Sequence, residues 1–179
     1  SNTGDLLFLR SPQGLTIHAV DFKDTWYKNE LKQQGGWSLE MIYSKNACGG
    51  FVNWAASENS IGGTPGKKNS TESVNADVSF PRLLRAYATD SMNIVLVFNE
   101  ALDSVNAAIA DNYIINDGIG TAVQAVPLNY LFNSVALRLP NPLLRNKIYT
   151  VTASVMYCYG NAIGASNTAQ VGLTEKLQR

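Results

Sequence analysis

Asn93-Ile94-Val95-Leu96-Val97-Phe98-Asn99 is the stretch that decides the fold. On an extended chain Ile94, Leu96 and Phe98 share one face, and Val95 and Val97 share the other. Both faces are apolar, so the segment reads as a strand buried on two sides. Asp90-Ser91 just before it is a short turn, and residues 81–89 before that form a second strand, giving a hairpin. Working outward, residues 113–115, 122–128, 134–139 and 149–156 also read as strands. Between 102 and 110 a single helical turn fits, with Asp103 or Ser104 as its cap. Turn signals recur every ~8–12 residues, the spacing of a β-sandwich of about seven strands.

Upstream, residues 5–10, 15–22, 37–43 and 51–55 read as short strands. Leu6-Leu7-Phe8-Leu9 is a continuous apolar run and is expected to be buried on both faces. Ser11-Pro12-Gln13-Gly14 follows, a turn that closes a hairpin. Residues 28–34 are the one helix candidate there, at most two turns long. Gly62-Gly63-Thr64-Pro65-Gly66-Lys67-Lys68-Asn69-Ser70 is dense in turn formers, and residues 71–78 are polar without a period. This divides the chain near Asn75, into residues 1–75 and 76–179.

The composition narrows the function classes. Among 179 residues, 45% are apolar and 16% charged, with 14 basic and 14 acidic side chains. Residues 1–75 hold seven of each sign, as do residues 76–179. Neither half has the net positive charge that captures nucleic acid or an anionic membrane. The longest apolar runs are of about five residues, far short of the ~18–20 of a membrane-spanning helix.

With the elements in place, three ordered blocks resemble the C-terminal part of a bacterial lamin tail domain. They are Gly36-Trp37-Ser38-Leu39-Glu40-Met41-Ile42, then Asn53-Trp54-Ala55-Ala56-Ser57, then the turn at 62–70. The resemblance covers roughly residues 5–70 and implies an Ig-like β-sandwich. The family's opening strands, with their Asn-Glu pair and Glu-aromatic strand, do not precede Ser1, so the unit is expected to be partial and the chain a fragment. Residues 78–165 resemble a bacterial Ig-like domain of the surface-layer and adhesin type. That match rests on Pro81, Val95 to Glu100 with Leu102-Asp103, Asp111 to Ile115, Val135 to Leu139, and Tyr149 to Thr152 running on to Tyr159-Gly160-Asn161. The tail from Val171 to Glu175 resembles a linker. The fold class is therefore all-β, a partial lamin-tail unit followed by a seven-stranded Ig-like sandwich.

Candidate chemistry is sparse. His18 is the sole histidine, so every Ser-His-Asp or His-metal arrangement must use it. It sits in a strand, no Gly-x-Ser-x-Gly string accompanies it, and it reads as a structural or surface residue. A glycosidase-like acid pair would have to come from Glu40, Asp77, Asp90, Glu100, Asp103, Asp111 or Asp117. Most of these lie at turns and strand ends, where Asp bonds its own backbone. No closely spaced Asp-x-Asp string occurs for calcium. In the turn at 62–68, Ile61 and Lys68 stand where a phosphate loop needs Gly and Ser or Thr. Trp37 and Trp54 are assigned to the core. Trp26 and Tyr27, in a loop, are the candidate ligand-contact aromatics.

The expected function is a non-enzymatic spacer, structural or interaction module of a larger exported or cell-surface protein, with no catalytic, metal or cofactor site. Its location would be periplasmic, outer-membrane-associated or extracellular. Expected partners are other modules of the same protein, a surface protein or a glycan, with no nucleic acid. The alternatives are a carbohydrate- or protein-binding module and, behind it, a hydrolase accessory fragment. Each half holds one cysteine, Cys48 and Cys158. A bond between them would close a loop of ~110 residues. Two buried free thiols, or pairing with a cysteine outside the chain, stand as the other readings.

Overall fold

In a computed structural model, residues 3–75, 79–128 and 130–173 are described. Asp77 and the Thr174-Glu175 end of the expected linker lie outside them. The chain falls into two compact units, residues 1–78 and 79–179.

The first unit opens with β1 (Gly4–Arg10) and β2 (Thr16–Lys23), paired antiparallel with Leu7 opposite Val20 and Leu9 opposite His18. The Ser11 to Gly14 turn closes as its sequence requires: the Gly14 amide donates to the Ser11 carbonyl, and Gly14 takes φ +82°. Burial of this hairpin differs from the expectation. Leu7 and Leu9 are 57% and 59% exposed and Leu6 and Phe8 exceed one third. An apolar run reports that burial is available, not that a second layer covers it, and the ribbon has only two strands.

The expected helix at 28–34 is instead two short 3-10 turns, Asp24–Tyr27 and Lys32–Gln34. Lys28, at φ 52°, breaks the chain between them. β3 (Leu39–Met41) pairs with β4 (Trp54–Ala56), both shorter than expected, and Phe51–Asn53 is a 3-10 turn rather than strand. The buried residues of this unit include Glu40, Asn46, Asn53 and Ser57 beside Ala56. Its centre is polar.

The second unit has eight strands among the described residues. They are β5 (Leu83–Ala88), β6 (Asn93–Phe98), β7 (Tyr113–Ile115), β8 (Gly120–Thr121), β9 (Gln124–Leu128), β10 (Ser134–Arg138), β11 (Ile148–Ala153) and β12 (Thr168–Gly172). Six coincide with segments read from the sequence. β8 and β12 are additional, and β12 occupies part of the tail taken for a linker. The sheets run β5-β6-β10-β9 and β12-β11-β7-β8, all antiparallel where paired. This is the A-B-E-D and G-F-C-C′ order of an immunoglobulin-like sandwich.

The alternation in β6 sets its core. Ile94, Leu96 and Phe98 are at most 1% exposed, facing Tyr113, Ile115, Tyr149 and Val151 in one apolar cluster. Val95 on the other face is also buried, flanked by Tyr87 and Ala136 on the neighbouring strands. Near the start of β11, the buried Tyr149 hydroxyl accepts a hydrogen bond from the Leu144 amide (3.1 Å). That bond is the tyrosine corner of such sandwiches. Between β6 and β7, α1 (Ser104–Ala107) is capped by Asp103, whose Oδ1 accepts from the Asn106 amide at 2.7 Å.

Candidate functional site

The most built polar arrangement lies in the first unit. Glu40 sits in the middle of β3, 4% exposed. Its Oε1 accepts from the Thr64 hydroxyl (2.6 Å), and its Oε2 accepts from the Ser70 amide and hydroxyl (2.7 Å each) and the Thr71 amide (3.3 Å). Burial alone raises a carboxyl pKa. Here the hydrogen bonds from Thr64, Ser70 and Thr71 outweigh it and hold Glu40 at about 2. Asn69 Nδ2 donates to the Met41 carbonyl, and the Ser57 amide to the Ser38 carbonyl. Gly62 lies so close to the Gly36 carbonyl that a Cβ would collide with it. The three family-like blocks thus meet around one carboxylate.

A second polar node is Asn53, fully buried. Its side chain accepts from the Tyr43 amide and donates to the carbonyls of Tyr43 and Asn46. Asn75 Nδ2 donates to its Oδ1. Sequence reasoning gave neither Asn53 nor Ser57 a role. The available signal was their place in the Asn-Trp-to-Ser block, since a polar residue fixed beside an aromatic strand needs a buried partner.

The tryptophans are not sorted as expected. Trp37 and Trp54 are half-buried rather than core, and Trp26 and Tyr27 are half-buried in a 3-10 turn rather than exposed in a loop. Trp26 and Trp54 stack tilted by 40° at 6.2 Å. The Tyr27 hydroxyl donates to the Trp37 carbonyl. Lys32 Nζ lies 4.5 Å from the Trp37 ring centre while donating to the Ser57 carbonyl, and Lys28 Nζ lies 4.8 Å from that of Phe51. The rings cover one another and take lysines on their remaining faces.

Most of the remaining candidate acids are engaged by near neighbours in sequence. Asp90 accepts from the Met92 amide and from Asn93 Nδ2, which lowers its pKa. Glu100 accepts from Asn99 Nδ2, Asp103 caps α1, Asp111 lies in the Ala110–Asn112 turn, and Asp117 pairs with Lys147 at 3.7 Å. Among the described residues no three His, Cys, Asp or Glu gather at metal-binding distance. His18 is half-buried in the ribbon. Cys48 and Cys158 are each disulfide-bonded, and no cysteine is free. A cleft of about 450 Å³ in the second unit lies between α1 and residues 156–160. Its polar groups are already used: Asn106 Oδ1 accepts from the Met156 amide, and Asp103 holds the helix.

No protein-family model matches the chain. No curated protein matches it either. Among solved structures there are partial matches. The S-layer protein SbsC matches with a TM-score of 0.46 at 20% identity over 55% of this chain and 14% of that one, and SbsC domains 1–6 match at 0.46 and 20% over 56% and 14%. CopC from Methylosinus trichosporium OB3b matches with a TM-score of 0.37 at 19% identity, over 55% of this chain and 99% of its own. The chain thus spans about one seventh of the S-layer chains it resembles.

Proposed function

We propose that this chain is a structural module of a larger exported or cell-surface protein, a spacer that carries load or presents neighbouring modules rather than catalysing a reaction. The observation that carries this reading is the second unit's apolar sandwich, whose buried tyrosine hydroxyls serve the fold itself. Tyr149 holds the corner before β11, and Tyr113 donates to the Ala107 carbonyl at 2.8 Å. The disulfide-bonded cysteines favour an oxidising compartment. A partial lamin-tail identity for residues 1–75 is part of the same proposal, supported by the way its three blocks converge on Glu40.

Two measurements on the purified chain test it. Thiol titration under denaturing, non-reducing conditions is expected to find no reactive thiol. Two thiols per chain would remove the argument for export. A broad hydrolase panel is expected to be silent, and turnover that survives repurification would replace the spacer reading. The binding-module reading draws on the half-exposed Trp26 and Tyr27. A glycan-array signal abolished by Trp26→Ala would favour it.

A further inference from the structure

Asp117-Gly118 is the one place in the sequence where Asp or Asn precedes Gly. It forms the turn between β7 and β8. The Ile119 amide donates to the Asn116 carbonyl at 3.2 Å, and Asp117 and Gly118 take φ +54° and +84°. Positive φ at both central residues makes this a type I′ turn. Its flanks are fixed: the Asn116 amide donates to the Thr150 carbonyl, Asn116 Oδ1 accepts from the Thr150 amide, and Ile119 is buried. The two residues between are exposed. The Gly118 amide donates to nothing among the described residues, and beyond its chain neighbours no atom lies within 4 Å of where a Cβ would stand.

Type I′ and type II′ turns differ by rotation of the central peptide plane. Here the rotation takes Asp117 ψ from about +30° to about −120° and reverses the sign of Gly118 φ, while Asp117 φ stays near about +60°. Glycine accepts either sign, and the outer hydrogen bond is kept. Asp117 thus already holds the φ of the rotated form, a left-handed value that costs a non-glycine residue strain. In that form the Gly118 nitrogen swings to the side of Asp117 that carries Cβ, where a five-membered ring closes.

We infer that Asp117 is a site of spontaneous isoaspartate formation in the folded chain. The Gly118 nitrogen attacks Cγ of Asp117 in its neutral carboxylic-acid form. A C–N bond forms, the amide proton and the carboxyl hydroxyl leave as water, and a succinimide results. Water then opens the ring at either carbonyl. Opening at Cγ restores Asp, and opening at the former main-chain carbonyl leaves the chain running through Cβ and Cγ. The partner that holds the carboxylate is Lys147 at 3.7 Å, an exposed and weak pair. Rival positions are occupied: the Asp90 carboxylate accepts from the Met92 amide and Asn93, and at Asn69-Ser70 the attacking amide donates to Glu40. The added methylene falls in the turn that leads into β8, a two-residue strand at the edge of its sheet.

Ageing the full chain at neutral pH and physiological temperature, folded and in parallel in urea, tests this. Peptide mapping by mass spectrometry and methyl transfer by isoaspartyl methyltransferase locate the product. In the folded chain, position 117 is expected to hold more isoaspartate than all other positions together. Asp117→Asn keeps a residue type that tolerates the left-handed region and closes the same ring with loss of ammonia, so it is expected to form the product faster. Isoaspartate at 117 in urea but not in the folded chain would overturn the proposal. So would a folded chain that gains it mainly elsewhere or not at all, or an Asp117→Asn variant that is no faster.

Discussion

Glu40 accepts hydrogen bonds from three residues of one turn, and that turn has little apolar surface with which to hold itself down. Its pKa of about 2 lies below the ordinary 4.5. The sign follows from linkage: a depressed folded-state pKa gives stability that is fully present above pH ~4.5 and is lost as pH falls through about 2. The contribution is on the order of 3 kcal/mol. Glu40→Gln is expected to destabilise the first unit by about that much at pH 7 and to flatten its acid transition, as followed by tryptophan fluorescence against pH. In the second unit, Tyr149→Phe removes the acceptor of the Leu144 amide and keeps the ring. The expected loss is about 1–2 kcal/mol by urea denaturation, with the m-value unchanged. Trp54→Ala should cost less than the ~3–5 kcal/mol of an emptied aromatic core site, because the indole is half-exposed.

Elements divide by whether alternation had a second layer to act on. β6 was legible because Ile94, Leu96 and Phe98 face a full apolar layer, and the parity of the sequence maps directly onto burial. The same logic misplaced Leu6 to Leu9, which have the composition of a buried strand and no layer above them. β12 escaped notice because Thr168-Ala169-Gln170-Val171-Gly172 offers one buried side chain, Val171, and ends at a glycine. β8, two residues long, is defined by its pairing with β7 and has no pattern of its own. The cap of α1 was narrowed to Asp103 or Ser104, and geometry selects Asp103, whose extended backbone (φ −61°, ψ 114°) aims its carboxylate at the Asn106 amide. Asp103→Ala is expected to cost about 1 kcal/mol, and Asp103→Asn much less. Of the candidate acids, Asp90, Asp103, Asp111 and Asp117 lie at turns or caps as expected, whereas Glu40 sits within β3 and Asp77 lies outside the described residues. The buried residues Asn53 and Ser57 were not singled out, because a polar residue's burial depends on contacts distant in the chain, such as that of Ser57 with Ser70, 13 residues away.

On the scale of the whole molecule, equal numbers of acidic and basic side chains in each half leave no long-range field to steer a polyanion. An anisotropy titration with duplex DNA at moderate salt is accordingly expected to show no micromolar binding, and a salt-dependent micromolar isotherm would contradict it. The polar centre of the first unit has a calorimetric consequence. Unfolding a structure whose buried residues include Glu40, Asn46, Asn53 and Ser57 hydrates much polar and little apolar surface. Polar hydration lowers the heat capacity where apolar hydration raises it, so the increment per residue should fall below the usual ~12–15 cal/mol/K. A small increment means shallow curvature of free energy with temperature. The first unit would then be no strong stabiliser at its optimum, yet it would lose little on cooling, whereas the sandwich of residues 79–179 should show the ordinary steep dome.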